Sequence, residues 1–153
     1  MQTKIDMKLN QTIEFHIRTT SLALSRMYNA IAADYGITQT IGYILTYVDK
    51  EGTPSTKIAT QLGMKKSSLT RVLKKMEEDG CIEREIDKVD KRVVKIFLTE
   101  KGIERRKIAK KTVIDFNNRL NDMVEEGDLE RFSKVSEIIK QLVNEELERR
   151  HIK

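Results

Sequence analysis

Apolar residues in the first part of the chain return at helical steps. Leu9, Ile13, Ile17, Leu24, Met27 and Ile31 fall on one stripe, which predicts a long helix over residues 6–33 that stops at Tyr35-Gly36. Thr38 stands where an N-cap is needed for a second helix, whose buried face would be Ile41, Ile44, Leu45 and Val48, with Gly52 as its end. In "TPSTKIATQLG", Thr53 reads as a cap and Pro54 as the first helical residue, with Ile58, Ala59 and Leu62 turned inward and Gly63 as the stop. A fourth helix follows at once, because Leu69, Val72, Leu73 and Met76 are spaced i, i+3, i+4 and i+7 before Gly80. Two short helices joined by a turn containing Gly make a helix-turn-helix candidate.

After Gly80 the period changes from 3.6 to 2. Ile82 and Ile86 share one face of "CIEREI", and Val94, Ile96 and Leu98 share one face of "VVKIFLT", so both segments read as half-buried strands. The polar "DKVDKR" between them lacks the residues of a two-residue turn, which predicts a longer, mobile hairpin end. The helical period then resumes. Ala109, Val113, Phe116, Leu120 and Val124 form one stripe; after a break at Glu125-Glu126-Gly127, Leu129, Phe132, Val135, Ile139, Leu142 and Leu147 form another. The terminal helices therefore carry more apolar stripe than the small central unit can cover, and self-association would supply the missing partner.

Composition narrows the class. A chain of 153 residues with 39% apolar and 35% charged content, one Pro and seven Gly has the make-up of an ordinary helix-rich globular protein. The lone Cys81 cannot form an internal disulfide, and "MQTKIDMKLNQTIEF" has no apolar core of signal-peptide length, so the cytoplasm is the expected compartment. No apolar run has the length of a membrane span, and no membrane partner is expected. There is no Gly-rich phosphate loop, no metal-ligand spacing and no nucleophile elbow, so no catalytic residue, metal or cofactor is proposed and the chain does not read as an enzyme.

Charge distribution says more than the net +5. Residues 53–102 carry 12 cations against 8 anions, whereas residues 125–153 carry 6 against 8. The excess is concentrated on the fourth helix, whose face opposite Leu69, Val72, Leu73 and Met76 presents Lys65, Lys66, Ser67, Ser68, Thr70, Arg71, Lys74 and Lys75. A basic helix alone is more often a solvated surface than a probe. As the second helix of a pair, followed directly by a hairpin with a charged tip, it fits the major groove of B-DNA, where hydroxyls and cations can address base edges and phosphates.

The order helix, helix, "STKIATQLGMKKSSLTRVLKKMEEDGCIERE", then "DKVDKRVVKIFLTEKG", resembles the MarR (multiple antibiotic resistance regulator) family of winged-helix transcription factors over nearly the whole chain. Asp90-Lys91-Arg92 matches the family's Asp-x-Arg, followed at the family's distance by Leu98-Thr99-Glu100-Lys101-Gly102. The resemblance implies a mainly α (α+β) fold: one domain over 1–153, with a winged helix-turn-helix DNA-binding region at 37–102 and dimerisation helices at 1–36 and 103–153. It also implies a homodimeric, effector-responsive repressor on a pseudo-palindromic operator in double-stranded DNA, with the recognition helix in the major groove and the wing, Lys88, Asp90, Lys91 and Arg92, in the minor groove. A narrow A·T-rich minor groove suits a projecting guanidinium. Asp90 would repel phosphate if it faced the duplex, so its expected role is to pair with Arg92.

The family also implies a small aromatic or amphipathic acid as effector, bound near the junction of the dimer helices with the winged region. His16, Tyr43 and Tyr47 are the candidate lining, although tyrosines at helical spacing equally read as core or interface residues. Cys81 reads as a small buried residue rather than a redox sensor. Two rival readings stay open: a winged-helix protein-interaction module, and a weakly selective architectural DNA-binding protein.

Overall fold

The computed structural model describes residues 8–150, so the first two residues of the expected 6–33 helix lie outside the described residues. The chain is mainly helical with one small antiparallel sheet: α1 (Ile13–Ala33), α2 (Gln39–Tyr47), β1 (Thr53–Pro54), α3 (Ser55–Leu62), α4 (Lys66–Glu78), β2 (Ile82–Ile86), β3 (Val94–Leu98), α5 (Glu100–Asn121) and α6 (Asp128–Arg149). Internal contacts divide it into two units, residues 1–110 and 111–153.

The first long helix begins later than the stripe predicts. Leu9–Gln11 is a separate 3-10 turn, and the Thr12 hydroxyl accepts the Phe15 N–H to cap a helix that starts at Ile13. Capping outweighs periodicity here, because the helix's open N–H groups need an acceptor and Thr12 supplies one. Thr38 caps α2 in the same way, accepting the Ile41 N–H.

Thr53 and Pro54 are not a helix cap and first turn but a two-residue strand, paired with Ile96 and Lys95 of β3 in a sheet of order β1-β3-β2. The Thr53 hydroxyl is buried; it accepts the Asp49 N–H and donates to the Tyr47 carbonyl, closing the turn after α2. α3 then ends at Gly63, whose φ of 60° gives the left-handed cap.

The core of the first unit joins Ile41, Ile44 and Leu45 of α2 and Val48 just after it, Ile58 of α3, Leu69, Leu73 and Met76 of α4, Cys81 just before β2, and Ile82 and Ile96 of the sheet. Full burial of each large side chain contributes about 1.5–3 kcal/mol, enough for three of them to seat α4 despite its charged outer face. β2 pairs with β3 from Ile82↔Leu98 to Ile86↔Val94. Ile82 and Ile96 are buried as the alternation predicts, but Ile86 is 63% exposed, because the hairpin has by then left the body of the unit.

The second unit comprises the end of α5 and α6, which turn at Gly127 (φ 84°). Asp128 ties this corner, accepting the Glu125 N–H and pairing with Arg131. No residue of α6 is buried.

Candidate nucleic-acid interface

Lys65, Lys66, Ser67, Ser68, Thr70, Arg71, Lys74 and Lys75 are all exposed, on the side of α4 opposite buried Leu69, Leu73 and Met76. Lys74 lies 3.8 Å from Glu78, a loose surface pair; Lys65, Lys66, Arg71 and Lys75 enter no ion pair among the described residues. The Thr70 hydroxyl donates to the Lys66 carbonyl at 2.8 Å, which leaves only its acceptor capacity turned outward. At the start of α4 no side chain caps the helix and no acid occupies the first turn. Open amides, the positive end of the helix dipole and two lysines are what a phosphate would meet there.

The other end of α4 is closed. Lys101 Nζ donates to the Asp79 carbonyl at 2.6 Å and the Thr99 hydroxyl to the Gly80 carbonyl at 2.7 Å, so the first turn of α5 holds the helix's exit. Gly102 is buried there, and a Cβ on it would overlap the carbonyl oxygen of Cys81. Cys81 is a buried residue, as expected, with Arg105 Nη1 3.0 Å from its sulfur.

The wing tip is long, as its residues predict, and internally bonded. Asp87 Oδ1 accepts the N–H groups of Val89 and Asp90 at 2.9 Å each, and Asp87 Oδ2 pairs with Lys95 at 2.7 Å. A polar loop residue that ties two backbone donors closes the turn from within. Asp90 Oδ1 accepts the Arg92 N–H and Nε at 3.1 and 3.0 Å, and Oδ2 accepts Nη2 at 3.1 Å. The hydrogen bond from Lys95, then those from the Asp90 and Val89 amides, hold the Asp87 carboxyl well below the usual carboxylate range. The Arg92 side chain, then its backbone N–H, lower Asp90, and Asp90 in turn raises the Arg92 guanidinium. This fork restricts the rotamers of Arg92 and leaves its side chain 91% exposed. Lys88 and Lys91 are exposed beside it.

The candidate effector residues are distributed over two helices. His16, on α1, stacks edge-on against Phe15, and Tyr43 and Tyr47 lie one turn apart on α2, both partly exposed. Gln39 Nε2 donates to the Tyr43 hydroxyl, and the Gln39 N–H to Asn29 Oδ1. Burial, with the neighbouring Tyr43, raises the Tyr28 phenol.

Two features escaped the sequence reading. One is Asp87 as the organiser of the wing. The other is a cavity of about 530 Å³ bounded by α3, α4 and the sheet, with Ala59, Met64, Leu69 and Ile96 among its walls and Arg84 at its edge. Arg84 Nη2 pairs with Glu77 at 3.0 Å, while its Nε is buried with no hydrogen-bond partner. A charged residue in a strand normally signals a solvated face, so nothing in the alternation marks it.

Among the described residues no cluster of His, Cys, Asp and Glu could hold a metal ion, and no helix is long and apolar enough to cross a membrane.

Residues 44–94 match the model of the MarR family. The chain is 32% identical over 105 residues to the organic hydroperoxide resistance transcriptional regulator of Bacillus subtilis (strain 168), an alignment covering 67% of this chain and 71% of that protein. It is 30% identical over 95 residues to the HTH-type transcriptional regulator TtmR of Methylorubrum extorquens (strain PA1), covering 61% of this chain but only 49% of TtmR, about half its length. In three dimensions it is similar to MepR of Staphylococcus aureus in its complex with DNA, with a TM-score of 0.77 and 21% identity over 86% of this chain and 98% of MepR, a likeness of fold.

Proposed function

Since the chain belongs to the MarR family of transcriptional regulators, we propose that it acts as a homodimeric repressor, the 37–102 region of each copy binding one half of a pseudo-palindromic operator. α4 enters the major groove, where Ser67, Ser68 and Arg71 address base edges and Lys65, Lys66, Lys74 and Lys75 hold phosphates. The wing enters the adjacent minor groove with Arg92. The observation that carries this reading is the combination of a cationic face on α4, on which only Lys74 enters an ion pair among the described residues, with an exposed guanidinium held by Asp90 on the wing. Two recognition helices on one duplex require half-sites about 34 Å apart.

Dimerisation is supported by the uncovered apolar residues of the terminal helices: Ile13, Ile17 and Leu22 on α1, and Phe132, Val135, Ile138 and Leu142 on α6. A second copy is the partner that explains such stripes in a regulator of symmetric DNA. The effector part of the reading is supported by the cavity between α3, α4 and the sheet, whose lining combines apolar Ala59, Met64, Leu69 and Ile96 with hydroxyls and the cations Lys66 and Arg84, a mixture that suits a small amphipathic acid.

The test is to select bound fragments from the native genome and titrate the recovered duplex over a salt series. Arg71→Ala is expected to lose about tenfold to a hundredfold in specific affinity and to relax base preference under α4. Arg92→Ala is expected to lower the slope of log affinity against log salt by about one, with folding and dimer mass unchanged. Unchanged binding by both variants, or no preferred fragment for the unaltered protein, would overturn the proposal in favour of a protein-interaction or architectural role.

A further inference from the structure

Val89 is 95% exposed, more than any other large apolar side chain among the described residues, and it sits at the tip of the wing. A single surface valine is ordinary. The setting of this one is not. Its N–H is tied inward to Asp87 Oδ1, the next N–H along the chain, that of Asp90, goes to the same atom, and Asp87 is itself anchored by Lys95. The turn is therefore fixed from within, and the Val89 side chain is held out in solvent. Lys88, Lys91 and Arg92, all exposed, lie within three residues of it in the same tip, where Asp87 and Asp90 are engaged in hydrogen bonds of their own. The tip thus carries a small apolar knob on a segment with three exposed cations.

That combination has a close chemical match in the minor groove of a duplex. Phosphates line its two rims, and its walls are deoxyribose C–H groups roughly 6 Å apart. We propose that Val89 packs against the deoxyribose wall beside Arg92 and makes the wing selective for a narrow groove. The proposal rests on the DNA-binding reading above and deepens it. Dispersion contacts fall off steeply with distance, so the isopropyl group is enclosed on both sides only where the walls approach each other. Arg92 senses the potential of such a groove; Val89 senses its width. The two contributions differ in their response to salt. A guanidinium displaces a condensed counterion, and an apolar contact displaces none.

The experiment uses the full chain and a duplex recovered by selection from a random-sequence library, prepared with either A·T or G·C pairs beneath the wing, with affinity measured by fluorescence anisotropy over a potassium chloride series. Val89→Ala, which shortens the knob, and Val89→Thr, which keeps its shape but makes it polar, are both expected to weaken binding to the A·T duplex about three- to tenfold. Both should keep the salt slope of the unaltered protein and narrow its preference for A·T over G·C flanks. Arg92→Ala provides the contrast, with a slope lower by about one. The proposal is overturned if both Val89 variants bind as the unaltered protein does, if Val89→Thr alone retains full affinity, or if the loss is equal on the two flanks. A changed slope also overturns it, because collapse of the wing would remove Arg92 together with Val89. Failure of the DNA-binding reading is distinct: the unaltered protein would then recover no preferred duplex.

Discussion

Replacing Leu142 by Glu is expected to convert the proposed dimer into a monomer. Along α6, Phe132 (68%), Val135 (46%), Ile138 (56%) and Leu142 (57%) are exposed within one chain, and no α6 residue is buried. If a second copy covers this stripe, the substitution places two carboxylates in a desolvated interface with no partner. The cost is about 4 kcal/mol or more, roughly a thousandfold in the dimer dissociation constant. Light scattering at fixed concentration checks the mass, and circular dichroism checks that the helices persist. Operator affinity should fall with the dimer, because linking two half-site binders raises avidity by about 10²–10⁴. A variant that remains a dimer would remove α6 from the interface.

The largest effect on stability is expected from Gly102→Ala. Within an exposed helix this change would gain about 1 kcal/mol of propensity. Here the added Cβ would overlap the backbone carbonyl of Cys81, and a backbone atom cannot swing aside as a side-chain tip can. Forcing the two apart costs about 3 kcal/mol or more and also strains the Thr99 and Lys101 bonds to Gly80 and Asp79. The net loss of about 2 kcal/mol corresponds to a drop in Tm of about 4–8 °C for a chain of this size. Thermal unfolding followed by circular dichroism gives the answer directly. An unchanged Tm would mean that α5 is free to withdraw from the end of α4.

Most of the architecture was legible because its signals are local. Thr38, Gly63 and Gly80 mark helix ends through one hydroxyl or one left-handed φ, and Leu69, Leu73 and Met76 mark the buried side of α4 through their spacing. What escaped depends on contacts distant in sequence. Thr53 and Pro54 form a strand only because Ile96 and Lys95 lie beside them, and two residues are too few to display a period. The late start of α1 follows from Thr12, whose hydroxyl caps the helix before Ile13, a signal that the apolar stripe alone does not carry. The cationic face and the Asp90–Arg92 fork were readable from residue type and order. Asp87 was not, since its role comes from closing a turn onto Lys95, and neither was Arg84, whose Nε is buried without a hydrogen-bond partner and whose Nη2 pairs with Glu77 of α4.

α4 is fastened at its exit by Thr99 and Lys101 and has no side-chain cap at its entrance. With 13 residues it is a lever about 20 Å long, so tilting the fastened end by about 5° sweeps the other through about 1.7 Å. That displacement is several times the tolerance of a hydrogen bond, and it falls on Lys66, Ser67 and Ser68. A slight rotation of the first turn of α5 is thus magnified where the helix would meet a duplex, with no melting or repacking of the hydrophobic interior.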